Sequence, residues 1–305
     1  MDTRRIGSFE VSVVGLGCNN FGRRVDEAGT KRILDAALDA GITFLDTADI
    51  YGGTKSESFM GTALAGRRDR FVLATKFGMK VDEDRHGAKP AYVRQAVEAS
   101  LRRLRTDYID LYQLHEPDPS TPIADTLAAL GELVQQGKVR EIGCSNFDVE
   151  QLHEAHGAVR EGAARFVSVQ NEFSLFHRGP ESGVLDACGE LDMAFLPYFP
   201  LASGLLTGKY RKSAEAPANS RLAGTDKITP DKLDVVERLI QFAEARGHTI
   251  LELAVSWLLA HEPVASVIAG ATSPEQVHAN AKAPSWRLDE RELREVNRIV
   301  GEAGS

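Results

Sequence analysis

Cysteine is scarce in this chain: Cys18, Cys144 and Cys188 are the only three among 305 residues. They lie far apart and have no histidine at metal-ligand spacing, which excludes a disulfide framework and a zinc signature and leaves them as small buried hydrophobes. Long apolar runs are missing too. Met1–Ile6 is polar and basic, and no stretch reaches signal-peptide or membrane-spanning length, so the chain is expected to be soluble and cytoplasmic. Blocks of basic residues are absent, with 36 Lys and Arg scattered among 44 Asp and Glu for a net charge of −8. That balance speaks against nucleic acid and against a membrane surface as partners, and it sets no oligomeric state.

A complete dinucleotide-binding fingerprint is also lacking. Val13-Val14-Gly15-Leu16-Gly17-Cys18 supplies the first two glycines of G-x-G-x-x-G, but Asn20 holds the third position, the next helix signal begins only at Asp26 and the next strand-end acid is Asp46. A Rossmann turn needs its helix at once and its acid about 20 positions on. The glycines therefore read as an ordinary strand-end loop.

What is present is an alternation. Apolar runs at 13–18, 42–45, 71–76, 109–114, 139–144, 166–170, 194–197 and 264–269 read as strands, and the segments between them carry helical periodicity. Asp26, Pro90, Thr121-Pro122, Asp148 and Ser273-Pro274 mark helix starts, while Gly41 and Gly137 mark stops. A short hairpin with its turn at Gly7-Ser8 precedes them. Eight strand-helix units, in a chain slightly longer than the roughly 250 residues of a typical eight-stranded barrel, predict one domain over 1–305. The predicted fold is α/β, a parallel (β/α)8 TIM barrel, with an open doubly wound sheet as the alternative. The rhythm breaks once, at Ser203–Ile228, where a long Gly-, Ser-, Ala- and Lys-rich stretch is expected to be a mobile lid over a bound ligand.

Three strand ends stop abruptly at reactive groups. Phe44-Leu45-Asp46-Thr47-Ala48-Asp49-Ile50-Tyr51-Gly52 ends in a carboxylate and a phenol, Thr75-Lys76 in an amine, and Leu114-His115 in an imidazole. Taken singly, each of these is most often a solvated or satisfied polar residue. On parallel strands, however, Asp46, Tyr51, Lys76 and His115 converge at the carboxyl ends, where α/β folds bind ligands. A general acid, a cation that favours its anion, a carboxylate that holds the cation and a neutral donor make a proton-transfer set. A metal-dependent hydrolase or lyase is the rival reading, and His115 has no second histidine in the neighbouring motifs to complete a ligand set.

These motifs, with Gly15-Leu16-Gly17, Gly143-Cys144-Ser145-Asn146-Phe147, Gln170-Asn171 and Gly270-Ala271-Thr272-Ser273-Pro274-Glu275-Gln276, resemble those of the aldo-keto reductases over nearly the whole chain. The resemblance implies reduction of aldehydes or ketones by NADPH, or by NADH, in a barrel without a Rossmann domain. It makes Tyr51 the proton donor, Lys76 the group that lowers the Tyr51 pKa from about 10, Asp46 the partner of Lys76, and His115 the donor that orients the carbonyl. For the cofactor it implies Gly17 and Cys18 at the first strand end, Ser145, Asn146 and Gln170 at the carboxamide, and Tyr198 stacked on the nicotinamide. Pro200, Leu201, Ser203, Gly204, Leu206 and Lys209 fall at the pyrophosphate and Arg221 toward the adenosine. Gly270, Thr272, Gln276 and Asn280 fall at the adenine and ribose, without the basic residues many relatives carry there. The alternative within the resemblance is a weakly catalytic or non-catalytic cofactor-binding regulatory subunit, as in potassium-channel β subunits.

Overall fold

The computed structural model describes residues 1–160, 163–212, 222, 225 and 228–301. It opens with the expected hairpin, β1 (Thr3–Ile6) paired antiparallel with β2 (Phe9–Ser12). The alternation then runs β3 (Val14–Gly17), α1 (Glu27–Asp39), β4 (Phe44–Asp46), α2 (Lys55–Ala63), β5 (Val72–Phe77), α3 (Pro90–Leu104), β6 (Ile109–Leu114) and α4 (Ile123–Gln135). It continues β7 (Val139–Ser145), α5 (Val149–Gly157), β8 (Phe166–Glu172), α6 (Val184–Glu190), β9 (Ala194–Tyr198), α7 (Pro230–Glu244), α8 (Ile250–Leu259), β10 (Val267–Gly270), α9 (Pro274–Lys282) and α10 (Glu290–Gly301). Local chemistry fixes the helix starts. Asp26 accepts from the Gly29 N–H, Asp148 closes a capping box with Gln151, and Pro90 and Pro274 open helices whose first N–H groups need no partner.

Strands β3 to β10 form one parallel sheet in the order β10-β3-β4-β5-β6-β7-β8-β9. The residues just before β10 close it into a (β/α)8 barrel: Phe195 N–H donates to Pro263 O at 2.7 Å and Ala265 N–H to Phe195 O at 3.0 Å. Val264 and Ala265 spend their pairing on β9, which is why β10 itself begins later than the apolar run at 264–269 predicts. Strand β4 likewise ends one residue later than its apolar run, because Asp46 pairs in register with both Gly17 and Ala74.

Two apolar layers follow from the strand alternation. One side of each strand joins the helices in a continuous outer core, and the other fills the barrel with Phe44, Ala74, Leu111, Leu196, Ala265 and Ile268. Ile6 and Val11 of the hairpin join this inner cluster. Gly15 belongs to the filling: a Cβ there would stand 2.7 Å from the Phe44 ring, so the glycine serves barrel packing and no phosphate turn. All three cysteines are buried and free. No helix among the described residues is long and apolar enough to cross a membrane. Of the stretch expected to be a lid, the described part begins with a 3-10 turn over Ala202–Thr207; residues 213–221, 223–224 and 226–227 lie outside the described residues.

Candidate active site

One step up the inward faces, apolar filling gives way to chemistry. Phe44 is followed two residues later by Asp46, Ala74 by Lys76, and Leu111 by Gln113 and then His115. The two-residue repeat of a strand therefore lays a polar rung directly on the hydrophobic floor. Asp46 and Lys76, 3% and 0% exposed, form an ion pair of 2.7 Å, and the Lys76 ammonium also donates to Thr47 O at 2.9 Å. The other Asp46 oxygen accepts from Gln170 Nε2 at 2.9 Å and Gln113 Nε2 at 3.3 Å. Every charge in this buried pair is hydrogen-bonded, the condition under which such a pair is tolerated.

Tyr51 reaches over this pair from the loop after β4. The Lys76 Nζ stands 5.2 Å from the Tyr51 ring centroid, close enough for its charge to act on the phenol. The His115 ring meets the Tyr51 ring edge-on, 5.8 Å between centroids. The four residues predicted to converge do converge.

Their protonation follows from burial and from each other. Burial raises the Tyr51 pKa above 10.0; Lys76 opposes that rise without cancelling it, so the expected net lowering by Lys76 is overturned by desolvation of the phenolate. Burial alone would lower the Lys76 pKa, but Asp46 and Tyr51 outweigh it and the net shift is upward. Burial and the neighbouring Lys76 push His115 down to about 3. At neutral pH the set is thus a protonated phenol, an ammonium and a neutral imidazole whose Nδ1 is buried with no hydrogen-bond partner among the described residues.

A cavity of about 660 Å3 opens above this rung, within the range of small-molecule and cofactor sites. Tyr51, His115, Asp46, Gly17 and Cys18 form its floor, and a hydrogen-bonded chain builds one wall: Tyr198 Oη donates to Asn146 Oδ1 at 2.9 Å, Asn146 Nδ2 to His115 O at 2.9 Å, and Ser145 Oγ to Gln170 O at 2.6 Å. Asn146 holds a left-handed backbone, φ 62°, that turns its amide into this chain. Pro200, Leu201, Ser203, Gly204 and Lys209 line the cavity beyond Tyr198, and Gly270, Thr272, Gln276 and Asn280 line its far end, where α9 begins.

Lys76 acts from beneath Tyr51 and does not reach the cavity surface. Leu206 does not line the cavity: left-handed Ala202, Ser203 and Gly204 reverse the chain and send Leu205 and Leu206 into the outer core. Arg221 lies outside the described residues. The structure adds wall residues that the sequence reading passed over, among them Asn20, Arg24, Met79 and Phe199. Asn20 and Met79 lie within three residues of the ends of β3 and β5, and that position is the available signal.

Comparison with known proteins agrees with this geometry. The model of the Aldo/keto reductase family matches residues 13–300. The chain belongs to the aldo/keto reductase family. Among its relatives, aldo-keto reductase YhdN of Bacillus subtilis is 35% identical over 306 residues, covering 96% of this chain and 91% of that protein. A glycerol dehydrogenase from Gluconobacter oxydans superimposes with a TM-score of 0.87 at 32% identity, covering 99% of this chain and 96% of the other. The holo form of an aldo-keto reductase from Bacillus halodurans gives 0.81 at 34%, with the same coverage. Membership places the chain among oxidoreductases, and the barrel is the fold of the aldo-keto reductases it resembles.

Proposed function

We propose that this aldo-keto reductase reduces aldehydes or ketones to alcohols with a nicotinamide cofactor, with Tyr51 as the proton donor. The observation that carries the reading is the buried Asp46–Lys76 pair beneath the Tyr51 hydroxyl on the floor of the cavity. The residues present fit the cofactor: the cavity has the Tyr198 ring and the Ser145–Asn146–Gln170 chain on one wall, and residues at the positive pole of α9 line it too. When bound, the reduced nicotinamide supplies a hydride to the carbonyl carbon. Tyr51 gives its proton to the carbonyl oxygen, and Lys76 stabilises the phenolate that remains. Neutral His115 donates to the same oxygen and orients it. Reduction of a panel of uncharged aldehydes and ketones, followed as loss of reduced cofactor, tests this; no turnover with any of them would contradict it.

We assign the phosphorylated cofactor, NADPH, because Arg24 and Lys209 line the cavity and the N-terminus of α9 faces its far end. The side chains of the described residues at that end, Thr272, Gln276 and Asn280, are neutral, and the Gln276 carbonyl is taken up by the Thr272 N–H at 2.8 Å. A charge-assisted contact is worth about 1.5–3 kcal/mol, so without one at the ribose phosphate the preference for NADPH over NADH is expected to stay below about tenfold. Binding titrations of both cofactors by quenching of protein fluorescence measure the ratio. A preference for NADH would overturn the assignment.

A further inference from the structure

Behind the strand ends, on the side away from the cavity, lies a buried charged cluster that the proposed chemistry does not use. Glu57 of α2 is 0% exposed; its Oε1 accepts from Thr75 Oγ1 at 2.6 Å and its Oε2 from Arg103 Nε and Nη2 of α3, each at 2.7 Å. Gly61 lets the two helices approach this closely, since a Cβ there would fall 2.3 Å from Arg103 O. Thr75 immediately precedes Lys76. The same cluster contains Asp49, 3% exposed and two residues before Tyr51. Its backbone N–H donates to Lys76 O at 3.0 Å, while its carboxyl Oδ1 is buried with no partner among the described residues.

Two carboxyl groups thus lie within electrostatic reach of one guanidinium, but only Glu57 bonds it, engaging two of its nitrogens, and Asp49 makes no ion pair with it among the described residues. The groups around Asp49 are Glu57 on α2, Arg103 and Tyr92 on α3, Lys76 on β5, Tyr112 on β6 and, more distantly, Arg85 on the loop between β5 and α3. The Lys76 ammonium is committed to Asp46 and Thr47, and among the described residues no cation forms an ion pair with Asp49. A buried carboxylate in that position must either keep its proton or draw its loop toward water.

Resting on the reductase reading above, we propose that Asp49 is a positioning residue whose neutral carboxyl seats the Tyr51 loop against β5, and that its ionisation unseats the loop and slows reduction. Burial and the like charge of Glu57 raise its pKa to about 7. Tyr51 cannot account for a fall around that pH, because its own pKa lies above 10.0. The sign for stability is fixed as well. An unfolded Asp ionises near 3.9, so the folded state is penalised progressively as pH rises from about 4 to about 7, and the penalty persists above that.

The test compares the wild-type chain with Asp49→Asn, a neutral isostere of the protonated carboxyl, using NADPH and an uncharged aromatic aldehyde. Between about pH 6 and pH 8.5 the wild-type kcat is expected to fall about three- to tenfold along a single-proton curve, and the Asp49→Asn kcat to change less than about twofold, with NADPH affinity unchanged in both. Glu57→Gln should move the wild-type limb to lower pH, because it removes the like charge. In parallel, the melting temperature of Asp49→Asn should exceed that of the wild type by a margin that grows from pH 5 to about pH 8. An Asp49→Asn protein with the wild-type pH limb, or a margin that stays constant, would overturn the proposal. Absence of turnover in the wild type at every pH would sink the reductase reading instead, and the melting series would still decide the charge state of Asp49.

Discussion

Tyr51→Phe should bind NADPH like the wild type and leave an aldehyde almost unreduced. The substitution removes one oxygen from the cavity floor and keeps the ring that packs edge-on against His115. What it removes is the proton donor, so the loss falls on the chemical step and is expected to be about 10²–10⁴-fold in kcat. The Asp46–Lys76 pair remains intact and fully hydrogen-bonded, so the fold should melt within a few degrees of the wild type. Because burial holds the phenol protonated past pH 10.0, the residual activity of Tyr51→Phe should keep the neutral-range pH dependence of the wild type. Cofactor titration and steady-state kinetics on the same preparation separate binding from turnover. Near-normal reduction by Tyr51→Phe would reject the proposed proton donor.

Lys76→Met should be both inactive and unstable. Methionine matches the length of the lysine stem, so the change strips a charge without opening a large cavity. It leaves Asp46 buried with two amide donors and no cation. Breaking a buried pair by removing one partner costs about 3–5 kcal/mol, which should lower the melting temperature by several degrees. Activity falls with it, since nothing then offsets the desolvation of the Tyr51 phenolate. The double variant Asp46→Asn/Lys76→Met removes both charges and should regain part of the stability but none of the activity, a coupling that a double-mutant cycle measures. If Lys76→Met melted with the wild type, the pair would not be the buried, charged unit described here.

Much of this arrangement is legible in the sequence because a barrel converts strand period and strand order into position. Asp46, Lys76 and His115 end apolar runs, so parallel pairing alone brings them to the carboxyl ends of neighbouring strands, and the incomplete glycine fingerprint at Gly15 and Gly17 is explained by the Phe44 ring that occupies the space of a Gly15 side chain. What was illegible depends on non-local contact. Gln113 gave no signal of its own until the β6–β5–β4 neighbourhood placed its amide on Asp46. The misplacement of Leu206 came from three consecutive left-handed residues that no periodicity encodes. The direction of the Tyr51 shift was misjudged because sequence shows the nearby cation but not the complete burial that outweighs it. Asp49 and Glu57 stand in plain view in the motif, yet only the packing of α2 against α3 shows that Arg103 is taken up by Glu57.

The central claim is that hydride goes from a nicotinamide to a carbonyl carbon at the Tyr51 end of the cavity. It is tested most directly by incubating the wild-type protein with NADPH carrying deuterium at the transferable C4 position and an uncharged aldehyde, and locating the label in the product. The expected result is an alcohol with one deuterium on the carbinol carbon and none acquired there from solvent. Alcohol formed without that label, or no alcohol at all, would contradict the account.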